Sequence, residues 1–204
     1  MDFGFSIFSL TDLALCLCVA FGAGLIKGVV GFGMPMIMIS GLSSIISPEL
    51  ALAGLLLPTL MSNGLQALRQ GWREAWKSTL KFRRYLIAGG ITLLLSAQLV
   101  NVISLNALLL IIGIPLVFFS SVQLLGWRAE LARQTPRMET GIGVLAGFLG
   151  GLSGIWGPPT VMYLTALNTE KTEQVRVQGV IYGLGAVALV GAHMASGLLS
   201  AQTA

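Results

Sequence analysis

From residue 106 to residue 125, and again from 177 to 199, the chain runs without one charged side chain. A helix needs about 20 apolar residues to cross the ~30 Å hydrocarbon layer of a bilayer. Inside that layer every backbone N–H and C=O must be satisfied internally, which helices do segment by segment. Composition points the same way: 55% of the chain is apolar, 10% is charged and the mean hydropathy is +0.86. A soluble domain carries roughly 25% charged residues on its surface. The chain is therefore expected to be an all-α, polytopic integral membrane protein.

Apolar segments fall at 10–31, 34–46, 50–68, 85–100, 106–125, 139–155, 158–167 and 177–199. Two of them, 34–46 and 158–167, are too short to cross upright, and each follows a Gly/Pro cluster. Nine of the twelve basic residues lie in two linkers: Arg69, Arg73, Lys77, Lys81, Arg83 and Arg84 in the first, Arg128, Arg133 and Arg137 in the second. Basic loops between apolar spans mark a cytoplasmic face, and this distribution argues against a nucleic-acid surface despite the net charge of +4. With linkers 69–84 and 126–138 inside, "NVISLN" (101–106) and the N-terminus fall outside. "NTEKTEQVR" (168–176) mixes acids and bases, so its side is left open. Linker 69–84 also has its tryptophans and bases at helical spacing, the pattern of an interfacial helix. The opening "MDFGFSIFSLTD" has acids and no base, unlike a signal peptide, so the first apolar segment is expected to remain. Cys16 and Cys18 point to different faces of a helix, and no disulfide follows.

"GLIKGVVGFGMPM" (24–36) puts helix-weakening residues and a lysine inside an apolar run. At an offset of 123 it matches "GFLGGLSGIWGPPTV" (147–161): Ala23 with Ala146, Gly24 with Gly147, Gly28 with Gly151, Gly31 with Gly154 and Pro35 with Pro158. The shared pattern AGxxxGxxGxxxP indicates an internal duplication. One copy starts from outside and the other from a basic linker, so two inverted repeats are expected, each with a broken helix. Paired breaks of this kind point to a transporter's binding site, because helix ends expose N–H groups that attract anions. Small-xxx-small spacing, as at Gly24/Gly28 and Gly143/Gly147/Gly151, equally serves close helix packing, and both readings stand for the individual glycines.

"GAGLIKGVVGFGMP" and "GVLAGFLGGLSGIWGPP" resemble the two half-motifs of the sulfite exporter TauE/SafE family, over essentially the whole chain. The resemblance implies a multi-pass permease or exporter of a bacterial inner membrane. Its substrate class would be a small anion: sulfite, a sulfonate or a related sulfur oxyanion. Where members often show runs of glycine, this chain has Phe32-Gly33-Met34 and Ile155-Trp156-Gly157, bulkier groups that would narrow a pocket. The repeats are expected over 1–125 and 139–204, around linker 126–138. The second is shorter, as if one or two terminal helices were missing.

The residues expected to contact substrate are Lys27, Gly28, Gly31, Gly33 and Pro35 in the first motif, with Gly151, Ser153, Gly154, Trp156, Gly157 and Pro158 in the second. Lys27 either neutralises an anion or snorkels to the interface. Trp156 either walls a pocket or packs. Asn63, Gln66, Gln178 and Tyr182 suit inter-helix hydrogen bonds or substrate oxygens. His193, the sole histidine, suits helix packing better than proton coupling. The carboxylates taken to lie in apolar segments are Asp12 and Glu49, near segment ends. No GxSxG, HExxH, CxxC or P-loop motif occurs, so the expectation is no enzyme, no cofactor and no metal. The partners are the anion and the bilayer, with a homo-oligomer left open. The competing reading is a membrane-embedded accessory or structural subunit.

Overall fold

The computed structural model describes residues 9–100, 102–126, 130–131 and 133–195, and these form helices joined by turns. In chain order they are α1 (Leu10–Val30), α2 (Met34–Leu42), α3 (Pro48–Leu68), α4 (Trp72–Lys81), α5 (Arg83–Leu99), α6 (Leu105–Leu124), α7 (Pro136–Ser153), α8 (Gly157–Ala166) and α9 (Lys171–Ala195). No strand occurs among the described residues. By length and composition Leu10–Val30 and Lys171–Gly191 qualify as membrane spans, and Asn106–Val122 is a shorter apolar helix. The expectation of several full spans is thus met in part. α3 and α6 run 21 and 20 residues, whereas α2, α4 and α8, of 9 or 10 residues, are too short to cross upright. Packing divides the chain into two compact units, with the division falling within α3, at Thr59/Leu60.

In the first unit α1 begins at Ser9, whose hydroxyl accepts the Asp12 N–H at 3.1 Å. It ends at Gly31, which takes a left-handed φ of 89° and donates its N–H to the Lys27 carbonyl at 2.7 Å. α2 then doubles back. Gly41, near its end, lies on Val19, where an added Cβ would stand 2.6 Å from Val19 Cγ1. Ala23, Met34, Met38 and Leu42 are buried together with Ala51 and Leu55 of α3, and Cys16 packs beside them. Cys18 is exposed; both cysteines are free thiols.

The second unit is organised by α5 and α7, which run parallel. Gly143 meets the backbone of Tyr85, Gly147 that of Gly89, and Gly151 meets Leu93, Ser96 and Ala97. The small-residue spacing of α7 therefore serves close approach. Lipid tails give helices no hydrophobic reason to associate, so contact rests on packing and weak Cα–H···O bonds. α6 leads from the end of α5 back to the start of α7. The two basic linkers consequently share one end of this unit, where Gln134 Nε2 donates to the Lys81 carbonyl at 3.2 Å. The segment 168–176 joins that end: Lys81 pairs with Glu173 at 2.6 Å, and Arg176 Nε donates to Ser78 Oγ at 2.9 Å. α5 and α6 expose Ile87, Ile91, Leu95, Leu109, Ile114 and Phe118, apolar faces suited to lipid.

Candidate functional site

The second glycine–proline stretch is the tip of a helical hairpin. α7 stops at Gly154, φ 71°, whose N–H bonds the Gly150 carbonyl at 2.7 Å. α8 starts at Gly157 with Pro158 in its first turn and returns toward the start of α7, where the Ala166 carbonyl accepts the Leu131 N–H at 2.7 Å. The first stretch has the same local form. Gly31 and Gly154, paired at the offset of 123, are both left-handed helix caps, and Pro35 and Pro158 both sit in the first turn of the returning helix.

Beside the second break lies a cavity of about 240 Å³, lined among others by Tyr85, Leu93, Gly147, Trp156, Ile181 and Ala188. That is far above the ~10–15 Å³ needed to hold one water. Tyr85 and Trp156 are the lining residues with polar side-chain atoms. Trp156 is 8% exposed and wedged between two glycines: a Cβ on Gly150 would come within 2.5 Å of its ring, and one on Gly185 within 3.3 Å. Trp156 thus lines the cavity and packs against both glycines.

Around the first turns of α8 lies a buried polar cluster drawn from three helices. Tyr85 and Thr160 share a hydroxyl–hydroxyl bond of 2.6 Å, and Thr160 Oγ1 donates to the Trp156 carbonyl at 2.6 Å. Tyr182 donates to the Gly157 carbonyl at 3.4 Å. The buried Tyr163 hydroxyl and Gln178 Oε1 have no hydrogen-bond partner among the described residues. The Tyr163 ring stacks on Tyr85 and meets Phe82 edge-on, with centroids 6.4 and 6.5 Å apart.

The expected contact residues divide. Trp156 lines the cavity, and Gly157 and Pro158 are buried just after it. Ser153 donates to the Leu149 carbonyl (2.7 Å) and accepts the Ile155 N–H (3.2 Å), so its hydroxyl steadies the break. Ser153 and Pro158 also border a second space of about 10 Å³. Gly151 lies in the α5–α7 contact. In the first unit Lys27 is buried (6% exposed) in the last turn of α1 and Gly28 is exposed, while Gly33 has φ 91°. Gln66 Nε2 donates to the Val175 carbonyl at 2.8 Å, an inter-helix bond, and Asn63 is buried beside Gly183. The side chain of His193 lies outside the described residues.

Two points correct the sequence reading. Proline has no N–H, so Pro158 and Pro159 strip α8's first turn of donors, and the break offers fewer backbone groups than a broken helix usually does. Glu139 was also overlooked as a carboxylate opening an apolar segment. It is 2% exposed; Oε1 accepts the N–H groups of Arg84 and Tyr85 at 3.0 and 3.2 Å, and Oε2 accepts Gln134 Nε2 at 3.0 Å. The carboxylate caps the N-terminus of α5 from the first turn of α7, where both helix dipoles favour negative charge. Tyr85, Thr160 and Tyr163 were missed as well. Thr160 and Tyr163, three apart in the segment 158–167, were the available signal.

The model of the family described as sulfite exporter TauE/SafE matches residues 16–204. No match was found among curated proteins or among solved structures.

Proposed function

The chain belongs to the sulfite exporter TauE/SafE family, and from that premise we propose that it is a secondary carrier moving a small sulfur oxyanion, sulfite or a sulfonate, across a bacterial inner membrane. The family is one of membrane transporters, not of enzymes. The observation that carries the reading is the second hairpin. Its Trp156, between the left-handed Gly154 and the proline-opened return helix, lines a cavity of about 240 Å³. In this reading the two hairpins belong to inverted repeats, with linkers 69–84 and 126–138 in the cytoplasm. The Trp156 indole N–H, a donor on the cavity wall, meets the anion without a fixed charge at the second break, which lets it leave again. Lys27 supplies the charge at the first.

The test is flux of radiolabelled sulfite into vesicles holding the purified protein, with sulfonate and sulfate as competitors. Saturable uptake that competitors reduce is expected. Absence of flux under every imposed ion or substrate gradient would overturn the carrier reading and leave an accessory subunit.

A further inference from the structure

The basic linker hides one face, and the other two are unlike each other. α4 buries Ala75 and Ser78, with Arg176 bonded to Ser78 Oγ and Lys81 to Glu173 across to α9. Trp72, Trp76 and Leu80 follow at four-residue spacing and so form one stripe along the helix. They are 68%, 55% and 50% exposed. Arg73, Lys77 and Lys81, each one residue further on, form the adjoining stripe. Lys77 is paired with Glu74 at 2.6 Å and Lys81 with Glu173. The exposed Arg69, Arg73, Arg83 and Arg84 make no ion pair among the described residues.

From this arrangement we infer that α4 is a docking surface for anionic phospholipid in the leaflet on the linker side. At 10 residues α4 is too short to cross a bilayer. Ser78 and Lys81 bond it to Arg176 and Glu173 at the start of α9, a helix long and apolar enough to span, so α4 lies where a crossing helix starts. The charge pattern selects the occupant. Tryptophan settles at the level of the headgroups, and unpaired arginines within reach of that level attract phosphate. The only acid on α4, Glu74, is held by Lys77. A zwitterionic surface would satisfy the tryptophan stripe but has no net negative charge to attract the four arginines. Because α4 is pinned to α9 through Ser78 and Lys81, lipid bound here is mechanically joined to the helix that also carries Tyr182 and Gln178. The inference rests on the chain being membrane-embedded, and it does not depend on which anion is carried.

The test reads tryptophan quenching in vesicles containing the full chain. Brominated phosphatidylglycerol and brominated phosphatidylcholine are compared at equal mole fraction. Subtracting the signal of a Trp72→Phe/Trp76→Phe variant isolates the stripe. Quenching at least about twofold stronger by the anionic lipid is expected. That excess should vanish in 1 M salt, where the screening length is about 3 Å, and in an Arg69→Gln/Arg73→Gln/Arg83→Gln/Arg84→Gln variant. The salt arm stands even if that variant does not insert. Equal quenching by the two lipids would remove the charge selection. No quenching by either would show that the stripe does not reach lipid, and both results overturn the inference.

Discussion

Gly147 and Gly89 lie so close that a methyl group on Gly147 would overlap the Gly89 carbonyl. The contact is backbone to backbone, so nothing flexible can move aside. Gly147→Ala should lower stability by about 2 kcal/mol through overpacking. Gly24, its partner in the repeat, is exposed, and a methyl group added there would meet nothing within 4 Å. Gly24→Ala should be neutral or stabilising by up to about 1 kcal/mol. Thermal denaturation of the detergent-solubilised variants distinguishes the two, and equal effects would contradict the close approach.

Gly154 presents a different constraint. A Cβ there would find Leu189 Cδ2 at an ordinary 3.8 Å, so the obstacle is its φ of 71° and not space. Asparagine visits this region readily, whereas other residues lose about 1–2 kcal/mol in it. Gly154→Asn should keep sulfite flux, and Gly154→Val should abolish it while the protein still reaches the membrane. Gly31→Val should behave like Gly154→Val. Lys27→Met should retain measurable flux; if it is as damaging as Gly154→Val, charge and not the break dominates binding.

Glu139 holds two N–H groups that α5 cannot satisfy internally. Glu139→Ala strands them in a buried place and should cost about 3 kcal/mol or more. Glu139→Gln keeps an acceptor for the two N–H groups, but sets an amide N–H against that of Gln134; a loss of about 1 kcal/mol is expected. Hydrogen exchange locates the effect: the Arg84 and Tyr85 amides should lose protection in Glu139→Ala and keep most of it in Glu139→Gln.

Glu170 accepts both the side-chain hydroxyl and the backbone N–H of Thr172, and the hydroxyl bond is the main reason its carboxyl is held below the usual range. A depressed carboxyl contributes stability above its unfolded value of about 4.5, and that contribution fades as pH falls through the lower folded value. Thr172→Val should move the Glu170 titration back up toward about 4.5, measured by NMR of the side-chain carboxyl. An unchanged midpoint would show that the hydroxyl bond is not the cause. Glu74, lowered first by its bond to Lys77, should respond in the same direction to Lys77→Met.

Periodicity and repeat made much of this legible. The pairing of Gly31 with Gly154 and of Pro35 with Pro158 was visible as spacing, because only glycine and proline meet the backbone demands of a helix that stops and doubles back. The glycines of α7 were also visible as a packing stripe. What the sequence hid was what each feature faces. Tyr85 sits beside two arginines and looks like the end of a basic loop, yet it reaches Thr160 from another helix. Glu139 opens the segment 139–155, but its partners are backbone groups 54 and 55 residues away, which carry no residue signature. The shortage of donors at α8 was present in the letters Pro158-Pro159 and needed only the chemistry of proline.

The return helix α8 carries a requirement for how the chain is made. Ten residues opening with two prolines are too short to be released into a bilayer as an independent span. Its Thr160 hydroxyl bonds Tyr85, a residue synthesised 75 positions earlier. Membrane entry of α8 is therefore expected to await a site assembled by α5 and α7, which would make completion of the hairpin a late step of biogenesis. Released full-length chains should show α8 more open to aqueous labelling when Gly147→Ala weakens the α5–α7 contact, and shielded when that contact is intact.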